Sequence, residues 1–298
     1  MTNGSATEAE PYPIDLTVVI PANDVGTTLS AQLDALAPQQ WAGSWEIVVV
    51  DNRSTDDTRA IALDYARRWD HVRVVDAPDR PGLCHARAIG ISSARGAAIA
   101  ICDGDDVVAD GWVRAMGDAL RDHPVVTGPL EVDRLNPRWL AETRGRPSAT
   151  EAGTWFGLFP LVSGGNLGLH RSVWNAVGEF DDAYLGAEDA EWSLRLARAG
   201  ITVHFAPDAV LHYRYRAEPD VLWRQGNRYG LNRPRLRRRI AAAGYPPPSR
   251  FAGWRSWAWL VAHLPGLRTQ HGRARWSWVA GVRIGHLRGS LRDRTLFL

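Results

Sequence analysis

Asp103, Asp105 and Asp106 stand within four residues, in the order Asp103-Gly104-Asp105-Asp106, directly after the apolar run at 97–102. Three carboxylates held at the end of a buried strand repel one another unless a cation neutralises them. A hard divalent ion, Mg²⁺ or Mn²⁺, does this with one or two carboxylates and keeps its other positions for water and phosphate oxygens. Gly104 lets the backbone approach tightly between them. An acidic turn can equally be solvated and inert; placement after a buried strand is what favours chemistry. Asp51 stands in the same relation to an earlier apolar run, 46–50.

Those carboxylates need a scaffold that gathers strand ends. Residues 16–20 (LTVVI), 46–50 (EIVVV), 72–75 and 97–102 (AAIAIC) read as buried strands, the first closed by Pro21. Leu29, Leu33 and Leu36 at helical spacing place a helix after the first strand, and Ser54-Thr55-Asp56-Asp57 opens a second that runs to about Trp69. A third, around 86–94, follows the Pro81-Gly82 break. This alternation predicts an α/β fold with a mostly parallel sheet. Ligands bind such sheets beyond the carboxyl ends of the strands, so Asp51 and the three later aspartates are expected to converge on one crevice. Beyond Gly111 the pattern predicts a helix to about Asp122, a strand near 125–127, a long loop over 136–153 and a strand near 203–206. A helix over 188–199 is ended by Gly200.

Six segments, in order, resemble the family 2 glycosyltransferases of the GT-A fold, over residues 16–212. They are VVIPAND (18–24), VVVDNRSTDDT (48–58), RPGLCHARAIG (80–90), ICDGDD (101–106), SGGNLGLHRSVWNAVGEFDD (163–182) and GAEDAEWSLRLARAG (186–200). The resemblance implies a GT-A (Rossmann-like) nucleotide-sugar-binding fold with a mixed, mostly parallel sheet. It implies an inverting enzyme that moves a sugar from a UDP-, GDP- or dTDP-sugar to an acceptor hydroxyl on a lipid-linked or cell-envelope glycan. By that resemblance Pro21, Asn23, Asp51, Arg87 and Asp103 contact the nucleotide. Asp105 and His212 hold Mg²⁺ or Mn²⁺. Asp189 is the base, with Glu188 holding an acceptor hydroxyl or substituting for it, and Gly164, Gly165 and Asn166 form the acceptor-side loop. Both acids would lie at a helix N-terminus, where the macrodipole favours their ionised form. The third segment departs from the family pattern: Ala88 replaces an Asn, so one contact near the base or diphosphate is missing or otherwise supplied. Two other readings stay open. A sugar-nucleotide nucleotidyltransferase would carry a basic glycine-rich loop after the first strand, and residues 21–27 contain no basic residue. A catalytically inactive membrane-surface binding protein is opposed by the intact carboxylates and kept open by Ala88.

With 298 residues, 45% hydrophobic and 23% charged, the chain has the composition of a globular protein. Its formal charge of +2 averages two unlike parts. Residues 1–212 carry 17 Arg against 30 acids, a net of −13, and residues 213–298 carry 18 Arg against 3, a net of +15. All 35 basic residues are Arg, which excludes a P-loop lysine or a Schiff base. Cys84 and Cys102 form neither a CxxC motif nor a disulfide framework, and a reducing, cytoplasmic setting is expected. Residues 1–13 hold no basic residue and read as a flexible tail, residues 14–212 as the catalytic domain and residues 213–298 as a helical extension. The most apolar stretches, 152–170 and 256–267, are broken or too short to span a bilayer. The extension holds nine Arg over 214–239 and five Trp over 254–278. A helical reading puts Trp276, Ala280, Ile284, Leu287 and Leu291 on one face, with Val282 outside it. That face is expected to lie on an anionic membrane surface, peripherally on the inner side. Packing against the acidic half is the alternative, and nucleic acid is the least favoured partner.

Overall fold

The computed structural model describes residues 12–297, so residues 1–11 of the expected tail lie outside the described residues. Strands and helices alternate through the first third: β1 (Ile14–Ala22), α1 (Leu29–Leu36), β2 (Trp45–Asp51), α2 (Thr58–Arg68), β3 (Val72–Asp76), α3 (Leu83–Ser93) and β4 (Gly96–Cys102). There follow β5 (Val107–Val108), α4 (Trp112–Asp122), β6 (Val125–Thr127), β7 (Leu130–Glu131), α5 (Arg138–Arg144), β8 (Asn166–His170), α6 (Arg171–Val177), α7 (Glu188–Arg198), β9 (His204–Phe205) and β10 (Leu211–His212).

Seven strands form one sheet in the order β3-β2-β1-β4-β8-β6-β9. The first four run parallel, and β8 is inserted antiparallel between β4 and β6. Val18, Val19 and Ile20 at its centre are fully buried. A strand covered on both faces has no solvent side, which is why these segments are unbroken apolar runs and not alternating ones. Their side chains still divide by parity: Leu16, Val18 and Ile20 meet Leu33 of α1 and Met116 of α4. Val19, Ile99 and Ile101 meet Ile91 of α3, Trp174 of α6 and Trp192 of α7 on the other face. A small second sheet, β5-β10-β7, sits beside the crevice.

Three expectations change. β1 continues through Pro21, which lies opposite Val50, to Ala22; near the strand's end the missing N–H removes a single ladder bond. The expected loop over 136–153 contains α5, whose seven residues are too few to display a helical period. Asn166, expected in a loop, is the first residue of β8, a strand disguised by its central glycine in NLGLH.

The extension is helical: α8 (Pro219–Leu231), α9 (Arg233–Ala242), α10 (Trp254–Ala262), a 3-10 turn (Leu264–Arg268) and α11 (Gln270–Arg292). α8 and α11 touch through their backbones. A Cβ added to Gly230 would stand 2.2 Å from the Val282 carbonyl oxygen, and one on Gly285 would stand 2.4 Å from that of Asn227. The buried side of α11 therefore runs through Gly281, Val282, Gly285 and Gly289, while Leu291 is 80% exposed. This replaces the expected apolar face, because close helix approach selects small residues that apolar periodicity does not count. Several arginines pair with buried acids: Arg239 reaches Glu191 at 2.8 Å, and Arg235 and Arg292 both reach Asp293. Among the described residues no helix is long and apolar enough to cross a membrane.

Candidate active site

The parallel strands β1, β2 and β4 end side by side, with Ala22 in register with Asp51. Beyond them opens a cavity of about 570 Å³ lined by Pro21, Asn23, Asn52, Asp103 and Asp105, and from the extension by Tyr213, Arg214, Arg216, Arg228 and Tyr229. Asn52 builds one wall. Its amide donates to the carbonyls of Ala77 (2.7 Å) and Arg80 (2.9 Å), and its Oδ1 accepts from the Gly82 N–H (2.8 Å). Asn23 in turn donates to the Asn52 carbonyl at 3.0 Å. Asp51, expected at the nucleotide, is buried at the end of β2 and does not line this cavity; its Oδ1 lacks a partner among the described residues. Sequence reasoning passed over Asn52, although an Asn immediately after a strand is a signal for such a loop-pinning bond.

Asp103, Asp105 and Asp106 each offer a carboxylate oxygen, and these oxygens lie within 4.8 Å of one another. Asp106 is 1% exposed; its Oδ1 accepts the Arg214 N–H at 2.7 Å and its Oδ2 has no partner among the described residues. Burial, and then the neighbouring aspartates, push the carboxyls of Asp105 and Asp106 above their ordinary range. An acceptor-only set of hard oxygens, with one buried oxygen unpaired, fits a divalent cation. The protein's own partial answer to that charge is Arg216, whose guanidinium meets Asp105 at 2.5 Å, while Arg214 donates to the Asp105 carbonyl at 2.9 Å.

Arg87 does not line the larger cavity. It is 2% exposed beneath the site, 3.5 Å from Asp103 on one side and 3.5 Å from Asp189 on the other. Although burial opposes its charge, Asp103 and Asp189 hold it firmly protonated. One buried cation thus ties the strand-end aspartate to the first turn of α7. Ala88 is also buried and lines neither cavity.

Glu188 and Asp189 open α7 as expected. The Gly164 N–H donates to Asp189 Oδ2 at 3.0 Å, and the Gly186 N–H donates to Glu188. Burial raises the Asp189 carboxyl, and Arg87 and the Gly164 N–H pull it back. Glu188, 8% exposed, is raised to about 7 by burial and by the adjacent Asp189. Both acids border a second cavity of about 340 Å³, lined also by Trp155, Ser163, Tyr229 and Arg233. Gly186, Glu188 and Tyr229 line both cavities, so the two meet there.

Gly164, Gly165 and Asn166, expected on the acceptor side, line neither cavity. Gly164 and Gly165 are buried behind the carboxylates: a Cβ on Gly164 would stand 2.5 Å from Arg87 and from Asp189, and one on Gly165 would stand 2.8 Å from Asp103. Asn166 is fully buried, its amide spent on the carbonyls of Pro129 and Ala209 and its Oδ1 on the Trp112 indole. His212 is not brought to the aspartate cluster as a ligand. Its ring lies between Glu131 (2.6 Å) and Arg134 (2.9 Å), where β10 pairs with β7.

A doubly wound sheet with clustered aspartates at its strand ends, facing two acids at a helix N-terminus across adjoining cavities, defines a GT-A architecture. The chain belongs to glycosyl transferase family 2, whose model matches residues 17–178; that of glycosyl transferase family group 2 matches residues 98–284. It is 26% identical over 198 residues to glycosyltransferase AglE of Haloferax volcanii, covering 65% of each chain. It is 25% identical over 241 residues to the probable glycosyltransferase YdaM of Bacillus subtilis, covering 72% of this chain and 54% of that one. The chain thus spans between about half and two thirds of the length of these relatives. A mannosyltransferase from Pyrobaculum calidifontis, solved with GDP-Man and Mn²⁺, superposes with a TM-score of 0.61 at 20% identity, over 95% of this chain and 89% of that one.

Proposed function

We propose that the protein is a metal-dependent, inverting glycosyltransferase that moves a sugar from a nucleoside diphosphate to an acceptor hydroxyl. The observation that carries this reading is the meeting of the two cavities at Glu188, with the aspartate cluster on one side and Asp189 on the other. The larger cavity takes the donor. Asp105 and Asp106, with Asp103, would hold the divalent cation, which would supply Lewis-acid neutralisation of the departing diphosphate when bound. Arg214, Arg216 and Arg228 line the same cavity and add fixed positive charge where the leaving group becomes more negative. Asn23 and the Asn52-pinned Gly82 loop shape the nucleoside end. Mg²⁺ and Mn²⁺ both suit these oxygens.

On the other side Asp189 accepts the hydroxyl proton as the acceptor attacks. Arg87 and the Gly164 N–H favour its ionised form against the opposing effect of burial, and Glu188 is placed to hydrogen-bond the acceptor. Attack from the face opposite the leaving group inverts the anomeric centre in one step. Arg233 lines this cavity with its Nε buried and without a hydrogen-bond partner among the described residues, which favours an acceptor bearing an anionic group, such as a lipid-linked phosphate. The nucleotidyltransferase reading gains no support, since no basic glycine-rich loop follows β1.

A nucleotide-sugar screen tests the reading by measuring released nucleoside diphosphate with and without Mn²⁺. Turnover is expected with one donor and is expected to vanish with Asp105→Ala and Asp189→Asn; pyrophosphate release instead would sink the proposal. Arg233→Gln is expected to raise the acceptor KM and leave slow donor hydrolysis by water intact.

A further inference from the structure

The outward side of α10 is apolar apart from Arg255. Trp254 is 63% exposed and Val261 70%, and Ala258 and Ala262 are exposed with them. Positions 254, 258, 261 and 262 share one face of a helix by their i, i+4, i+7, i+8 spacing. Leu260 is the helix's single buried residue, packed toward α11, where Trp276 donates its indole N–H to the Leu260 carbonyl at 3.1 Å. Phe251 before the helix and Leu264 after it, 47% and 49% exposed, extend the apolar stripe at both ends. A contiguous apolar stripe turned outward marks a surface that something covers.

The charge around it identifies the occupant. No Asp or Glu occurs between Asp220 and Asp293. Arg250, Arg255, Arg268 and Arg273 are exposed around the stripe, and none forms a salt bridge among the described residues. A second copy of this face would bring guanidinium against guanidinium. An anionic bilayer supplies both things the face lacks: acyl chains for Trp254 and Val261, and lipid phosphates for the arginines. We propose that the outer face of α10 and the following 3-10 turn docks on an anionic membrane surface. The same helical hairpin reaches the acceptor side: on α11, Trp278 stacks beneath Arg144 at 3.3 Å and packs edge-on to Tyr229, which borders both cavities.

Co-sedimentation of the full chain with phosphatidylglycerol/phosphatidylcholine vesicles tests this, with phosphatidylcholine vesicles alone as the control. Binding to the anionic vesicles is expected, weakened by raising the salt. The double variant Trp254→Glu, Val261→Glu is expected to lose binding by about tenfold or more with an unchanged far-ultraviolet circular dichroism spectrum. Neither residue touches a cavity described above, so folding and docking are separable. Absence of binding to anionic vesicles, equal binding by the variant, or a dimer that the variant dissociates would overturn the proposal.

Discussion

Glu188 shows how a single residue couples stability to function. Its carboxyl, ordinarily near 4.5, is raised to about 7 in the folded protein. An acid with a raised folded value binds its proton more tightly when folded, so stability falls as pH rises from the unfolded value through 7 and is flat beyond. Glu188→Gln removes that penalty, on the order of 3 kcal/mol at pH 8 and close to nothing at pH 4. Thermal unfolding of both proteins across this range measures it, and the variant is expected to gain stability selectively at high pH. Gly164→Ala acts at the same scale. Its methyl would stand 2.5 Å from both Arg87 and Asp189, displacing the base, and a rate loss of about 10²-fold with retained fold is expected from steady-state kinetics. The carboxylates themselves were legible in the sequence, because their chemistry is carried by residue type and by position after a strand. Arg87 was not: its partners lie 16 and 102 residues away, and only the folded chain shows that it faces inward between them.

Among the elements, those built from long apolar runs were legible and those built from short or small-residue segments were not. β1, β2 and β4 announce themselves because each is buried on both faces. β5, β7, β9 and β10 are two residues each, too short for a period, yet β10 delivers Tyr213, Arg214 and Arg216 to the donor cavity. The α8–α11 contact inverts the usual sign of the hydrophobic pattern, since glycines mark its buried side. Gly285→Ala is expected to cost about 1–3 kcal/mol, because the added methyl meets a backbone carbonyl that can yield only by parting the helices. Chemical denaturation reads this directly, and an unchanged midpoint would contradict the close crossing.

Across the whole molecule, the acidic and basic halves meet at the site. The first part contributes aspartates and glutamates, and the extension contributes Arg214, Arg216, Arg228 and Arg233 to the same two cavities. A catalytic domain ending at residue 212 therefore describes the chain's composition better than its chemistry. Composition showed the asymmetry, and only the fold shows that part of the positive charge faces inward to the substrates and part outward from α10. The division of labour between the two cavities is most directly tested by measuring Mn²⁺-dependent nucleoside diphosphate binding and turnover side by side in Asp105→Ala and Asp189→Asn. Asp105→Ala is expected to lose metal-dependent nucleotide binding, and Asp189→Asn to keep it while losing about 10²–10⁴-fold in turnover. Loss of nucleotide binding in Asp189→Asn, or full turnover without that carboxylate, would contradict the assignment of donor and acceptor sides.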